Sequence, residues 1–133
     1  MDYGMVLHTY FLQKLLFAIP FLIAFIITLI AYGSAPKAVL GALDYILIGF
    51  LLGFLLQIIS GTIFAYIVQQ PLLPLKLRQE GLGFEEIARI TSGYNILSLA
   101  TNLVILLVSL TLVGYGVYEL VNIAKNVLKT SAQ

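Results

Sequence analysis

Residues 39–68, VLGALDYILIGFLLGFLLQIISGTIFAYIV, decide the fold of this chain. The only charged side chain in this stretch is Asp44. A helix of about 20 apolar residues crosses the hydrocarbon core of a bilayer, and about 30 residues extend some 45 Å. The stretch therefore predicts a long apolar helix. Two further stretches, over about 11–32 and 94–124, have the same character.

The composition excludes several classes of protein. Of 133 residues, 61% are hydrophobic and 10% are charged, and the mean hydropathy is +1.05. Soluble domains are about half apolar and a quarter charged, and disordered chains are poor in hydrophobic residues, so neither class fits. The net charge of +1 does not indicate a strongly basic nucleic-acid binder. With no cysteine and one histidine, thiolate and multi-histidine metal sites within one chain are excluded.

The three stretches predict an all-α fold in a single domain, 1–133. The short segment Gly33-Ser34-Ala35-Pro36 predicts that the first two helices form a hairpin, and Pro20 predicts a bend in the first. The polar connection 69–93 contains a short amphipathic pattern at 83–90, which predicts a small helix of its own. The polar tail 125–133 is expected to continue the third helix.

Small residues recur at every fourth position of the second helix. The row comprises Gly41, Tyr45, Gly49, Gly53, Gln57, Gly61, Ala65 and Gln69. Such a row is a packing ridge, and missing side chains along it let another backbone approach closely. We therefore assign Gly41, Gly49, Gly53, Gln57 and Gly61 to helix packing. The pattern leaves open whether the partner helix belongs to the same chain or to a neighbour.

The third helix carries a polar seam with steps of mostly four and three residues. The seam comprises Thr91, Asn95, Ser98, Asn102, Ile105, Ser109, Leu112, Gly116, Glu119, Asn122 and Asn126. Small polar side chains in apolar helices form hydrogen bonds between helices, so Asn95, Ser98, Asn102, Ser109 and Gly116 are predicted packing residues. A polar conduction path is the alternative, but the seam has no ionisable group at mid-depth.

Few residues are candidates for catalysis, metal binding or ion transport. Asp44 and Glu119 lie near helix ends that a three-pass topology places on one side, and intramembrane acids often serve proton or ion paths. Near a helix end, both can instead reach water or a polar partner. His8, Tyr10 and Lys14 form no recognisable nucleophilic or metal-binding pattern. We therefore expect no enzymatic activity, no metal and no cofactor.

Two functional classes remain. One is a structural protein whose apolar helices pack against many copies of itself. The other is a small three-pass integral membrane protein, such as an accessory subunit or a small transporter. The positive residues give no clear orientation, because four fall on one side and three on the other.

The whole-chain layout resembles the coat proteins of spindle-shaped archaeal viruses, especially the large tailed type. The resemblance lies in length, hydrophobic helical composition, lack of cysteine and apolar runs such as residues 21–27 and 103–108. It implies a capsid protein of the virion, inserted into the host membrane before it assembles into a helical or spindle-shaped shell around DNA. Sequence-independent phosphate contacts would then come from Lys76, Arg78, Arg89, Lys125 and Lys129. In the polar connection, nearby glutamates balance the first three.

Overall fold

The computed structural model describes residues 2–132, and within that range it contains helices and turns but no strand. The predicted all-α fold is therefore confirmed. The α-helices are α1 Tyr3–Leu15, α2 Ile19–Gly33, α3 Lys37–Thr62, α4 Leu73–Gln79 and α5 Phe84–Ala132.

The first predicted helix, 11–32, is two helices in the structure. The N–H groups of residues 16–18 donate to carbonyls three residues earlier, which tightens the chain and ends α1. Pro20 lies in the first turn of α2, where its missing N–H has no helical partner to lose. The interruption therefore lies before the proline. Helix α1 also begins earlier than predicted, because the Asp2 carboxylate accepts from the backbone N–H of Met5.

The second predicted helix, 39–68, leaves α-helical geometry at Thr62. A π-helical turn follows at Ile63–Ile67, in which the N–H of Val68 donates to the carbonyl of Ile63 at 2.8 Å. Gln69 then has a left-handed backbone with φ of 54°, which is uncommon for a residue other than glycine. A 3₁₀ turn at Gln70–Leu72 leads into α4.

The third predicted helix, 94–124, is longer at both ends. The amphipathic pattern at 83–90 forms the first turns of α5 rather than a separate helix, because the helix continues through Gly93. An exposed glycine within a helix costs only about 1 kcal/mol, so it does not force a break. The helix in the polar connection is α4 instead. The predicted tail 125–133 is helical to Ala132, and residue 133 lies outside the described residues.

The structure contains two compact units, and the single domain stays a prediction. Unit 1 comprises Met1–Ala18 and Leu56–Ile105, and unit 2 comprises Ile19–Leu55 and Leu106–Gln133. The apolar core of unit 1 is formed by Leu7, Ala18, Phe64, Ala65, Leu72 and Ile105. That of unit 2 is formed by Ala42, Leu43 and Ile46.

Two helical stretches within the described residues, Lys37–Gln79 and Phe84–Ser131, are long and apolar enough to cross a membrane. A third candidate exists if Tyr3–Leu15 and Ile19–Gly33 together form one bent span. The chain therefore has two or three candidate membrane spans.

Candidate functional site: polar and glycine helix contacts

A buried glutamine joins three segments of unit 1. The hydroxyl of Tyr10 on α1 donates to Oε1 of Gln70 at 2.5 Å, and Nε2 of Gln70 donates to Oδ1 of Asn95 on α5 at 2.5 Å. Gln70 is only 8% exposed. A buried amide is costly unless its donor and acceptor both find partners, and here each has one. The left-handed turn at Gln69 places the Gln70 side chain between α1 and α5.

Lys14 provides the second polar link in unit 1. Its Nζ donates to Oγ of Ser98 at 2.7 Å and lies 5.4 Å from the ring centre of Tyr10 and 6.0 Å from that of Phe64. Among residues 2–132, the structure records no salt bridge to this ammonium group. Its charge is therefore stabilised by one hydroxyl and two ring faces.

Gly61 makes room for the Lys14 side chain. A Cβ atom at position 61 would lie 3.1 Å from Cβ of Lys14, which is closer than an ordinary contact. The predicted packing role of Gly61 therefore involves α1 of the same chain.

A second aromatic and polar contact fixes α1 against the π-helical turn. Nδ1 of His8 and the hydroxyl of Tyr66 are 3.1 Å apart, and the rings of Phe11 and Tyr66 have centroids 5.3 Å apart. The lone histidine thus has a hydrogen-bonding partner on a neighbouring segment.

In unit 2, α3 and α5 meet through glycine. A Cβ atom at Gly49 would lie 2.8 Å from Cγ2 of Val113 and 2.9 Å from the backbone oxygen of Ser109. The hydroxyl of Ser109 donates to the carbonyl oxygen of Gly49 at 2.8 Å, and Ser109 is 1% exposed. One glycine therefore gives both a close backbone approach and a hydrogen bond between helices.

Two further glycines of unit 2 are equally crowded. A Cβ atom at Gly53 would lie 2.5 Å from the Phe21 ring of α2, and one at Gly116 would lie 2.7 Å from the carbonyl oxygen of Ala42. In the structure, the glycine motif at Gly49 and Gly53 thus packs against α5 and α2 of the same chain. Gly41 differs, because a Cβ atom at that position would have no neighbouring atom within 4 Å.

The remaining predicted packing residues mostly face inward. Gln57 and Ser98 are buried in unit 1, and Asn102 is half-buried there. Asn95 is exposed as a residue, yet its side chain accepts from Gln70. Within the polar seam of α5, Ser98, Ser109 and Gly116 are thus buried, whereas Asn95 and Asn126 are exposed.

Asp44 and Glu119 lie at the same end of unit 2. Tyr45 and Tyr115, their neighbours on α3 and α5, meet edge-to-face with centroids 4.7 Å apart. Tyr32 lies near Asp44, and Tyr115 lies near Glu119. Both carboxylates therefore lie among tyrosine side chains at this end of the unit.

The five candidate phosphate contacts fall into two groups, and all are exposed. In unit 1, Lys76, Arg78 and Arg89 lie on α4 and the start of α5, and Nζ of Lys76 donates to Oε1 of Gln69. In unit 2, Lys125 and Lys129 lie four residues apart on α5 and therefore on one face of the helix.

Sequence reasoning missed the network around Lys14, Tyr10 and Gln70. The available signal was a lysine within the apolar stretch 11–32, since such a charge needs a polar or aromatic partner. The partners lie 60 and 84 residues away along the chain, and no local pattern links them. Comparisons with protein-family models, with curated proteins and with solved structures found no match to this chain.

Proposed function

We propose that this chain is a structural subunit that assembles with many copies of itself through the apolar faces of its helices. The observation that carries the proposal is that each unit buries polar side chains and exposes large apolar ones. On α5, Ser98 and Ser109 are buried, whereas Leu103 is 53% exposed and Leu107 is 64% exposed. An exterior of this kind requires an apolar cover.

The length of the apolar surface favours copies of the chain over lipid alone. Along α5, large apolar side chains are exposed from Ile96 to Leu128. That interval corresponds to about 48 Å of helix at 1.5 Å per residue, whereas the hydrocarbon core of a bilayer is about 30 Å thick. Neighbouring copies, whose apolar helices are equally long, would cover the whole of this length.

A coat around DNA is the specific form that we propose for this assembly, with a membrane-inserted stage before assembly and a virion as its final location. The whole-chain resemblance to coat proteins of spindle-shaped archaeal viruses supports it. The exposed pair Lys125 and Lys129 also supports it, because the chain between Glu119 and residue 132 has no acidic side chain to balance them. Such lysines would bind phosphates without reading the sequence.

The test is electron microscopy of the purified protein after detergent removal, without added lipid. Regular tubes or shells are the expected result. A Leu107→Lys variant should prevent assembly, because it places a charge on an apolar face, whereas the matched Leu107→Met variant should assemble. Amorphous precipitate from the unmodified chain, with dispersed particles only in lipid nanodiscs, would overturn the proposal.

A three-pass membrane subunit is the second candidate, and the two or three candidate spans favour it. In that case Asp44→Asn or Glu119→Gln should abolish its activity in the membrane. A coat protein should assemble normally with either change, because both carboxylates lie at one end of unit 2 rather than along its apolar faces.

A further inference from the structure

We infer that unit 2 meets the surface of a lipid bilayer at a belt of four tyrosines, and that acyl chains cover its exposed apolar side chains on one side of that belt. The tyrosine belt comprises Tyr32 on α2, Tyr45 on α3, and Tyr115 and Tyr118 on α5. The inference rests on the membrane-inserted stage of the proposed function and names the surface that contacts lipid at that stage.

The four tyrosines lie at one level of unit 2. The rings of Tyr45 and Tyr115 meet edge-to-face, and Tyr118 lies about 4.5 Å farther along the axis of α5. Tyr32 lies near Asp44, the residue before Tyr45. The side chains of Tyr45, Tyr115 and Tyr118 are 41%, 47% and 60% exposed. Tyrosine is enriched at membrane interfaces because its ring is apolar and its hydroxyl is polar, so this level suits a boundary between lipid and water.

The helix contacts show which residues lie on each side of the belt. Close to the belt, Gly116 of α5 meets Ala42 of α3. Farther from it, Gly53 of α3 meets both Ser109 of α5 and Phe21 of α2. The later part of α3 therefore lies beside the earlier part of α2 and beside the segment of α5 that precedes the belt.

Charge is confined to one side of the belt. The stretches 19–32, 45–55 and 106–115 lie on the side that Gly53 occupies, and they contain no charged residue. All charged side chains of unit 2 lie at the belt or on its opposite side, namely Lys37, Asp44, Glu119, Lys125 and Lys129. Because a charge within hydrocarbon is costly, this separation is typical of a surface that enters a bilayer.

The hydroxyl groups on the uncharged side all have partners within the chain. Thr28 and Thr111 donate to carbonyls four residues earlier in their own helices, and Ser109 donates to the carbonyl of Gly49. Lipid tails offer no hydrogen bonds, so a side chain that faces them needs an internal partner. Acyl chains around this part of unit 2 leave none of these three hydroxyls unpaired.

The uncharged side is long enough to reach the middle of a bilayer. On each helix, an exposed apolar residue lies nine or ten positions from the tyrosine of the belt: Ile23 on α2, Leu55 on α3 and Leu106 on α5. That spacing corresponds to about 14–15 Å of helix, and half of the hydrocarbon core is about 15 Å. With the belt at the interface, all three residues lie near the bilayer centre.

Depth measurements in lipid vesicles test the inference, because the chain has no tryptophan and a single introduced one reports its own position. Tyr118→Trp and Leu106→Trp are compared in phosphatidylcholine vesicles that carry bromine at a shallow or a deep acyl position. Tyr118→Trp should lie about 15 Å or more from the bilayer centre, and Leu106→Trp within about 5 Å of it. Tyr45→Trp and Leu55→Trp make the same comparison on α3, which keeps the test informative if one variant does not fold.

Equal depths within both pairs would overturn the inference, because the helices would then lie flat in the headgroup region. Absence of quenching by either brominated lipid would also overturn it, because protein rather than lipid would then cover unit 2. Electron microscopy without lipid tests self-assembly separately, so regular tubes or shells would leave that proposal standing if the depth pattern fails. The expected depth pattern without such tubes or shells would support this inference and the three-pass membrane subunit.

Lysine substitutions give a second readout of the same boundary. Leu106→Lys should lower the ratio of vesicle-bound to free chain roughly 100-fold more than Tyr118→Lys, because only a lysine near the interface can extend its ammonium group to water. Both positions are exposed in unit 2, so loss of internal packing does not explain a difference. Flotation of vesicles on a density gradient measures the ratio, and equal losses for the two variants would contradict the placement of the belt.

Discussion

Unit 1 and unit 2 hold their apolar helices together by different contacts. In unit 1, α1 is tied to its neighbours by long polar side chains, Lys14 and Gln70 among them. In unit 2, α3 and α5 approach so closely at Gly49 that no side chain fits on that glycine. When the exterior is as apolar as the interior, burial alone does not select one packing, so hydrogen bonds or close backbone contact must do so.

The largest expected effect comes from filling the glycine contact of unit 2. Gly49→Leu should lower the free energy of unfolding by more than about 3 kcal/mol, because a backbone oxygen and a valine methyl occupy the space. Thermal unfolding in mild detergent, followed by circular dichroism, measures it.

Gly114→Ala is the matched control on α5. No atom lies within 4 Å of a Cβ built there, so alanine should raise stability by about 0.5–1 kcal/mol through its better helix propensity. Equal stability of Gly49→Leu and the unmodified chain would mean that α3 and α5 do not meet at Gly49.

Removing the bridging amide tests the polar links of unit 1. Gln70→Leu should lower the free energy of unfolding by about 2 kcal/mol, because it leaves the Tyr10 hydroxyl and the Asn95 amide without their partner. The exposed Gln79→Leu should change it by less than about 0.5 kcal/mol. The same unfolding measurement applies, and similar values for the two variants would contradict the bridging role.

Alanine substitutions at two buried serines of α5 compare how much a polar contact stabilises each unit. Ser98→Ala should cost about 1.5–3 kcal/mol, because it removes the hydrogen bond to a charged ammonium group. Ser109→Ala should cost about 0.5–1.5 kcal/mol, because the bond that it removes joins neutral groups. The order of the two unfolding temperatures checks this, and the reverse order would refute a structural role for Lys14.

The smallest effect is expected at the left-handed turn. Gln69→Gly should raise the free energy of unfolding by at most about 1 kcal/mol, because glycine adopts a positive φ without strain. Gln69→Val should lower it by about 1–2 kcal/mol, because a β-branched residue resists that conformation. Denaturant titration of both variants measures the difference. A valine variant more stable than the glycine variant would contradict the turn geometry.

Much of the helical architecture was predictable because it follows from local periodicity. The fold class follows from the long apolar stretches, and the row of glycines on the second helix and the polar seam of the third follow from spacing. Helix ends were less predictable. Gly93 predicted a helix boundary, but α5 continues through it, whereas the bend predicted from Pro20 lies directly before that residue, between α1 and α2. These local signals are worth about 1 kcal/mol or less where geometry accommodates them, so tertiary contacts override them.

The sequence by itself determined that this chain is built from long apolar helices with an internal row of small residues and an internal polar seam. Hydrophobicity and helical period are properties of neighbouring residues, so one sequence reveals them. Only the tertiary structure decided that Gly49 packs against Ser109 of the same chain and that Lys14 reaches Ser98. Those contacts depend on which helix faces meet, and among faces of similar hydrophobicity the choice depends on a few polar and close-packed atoms.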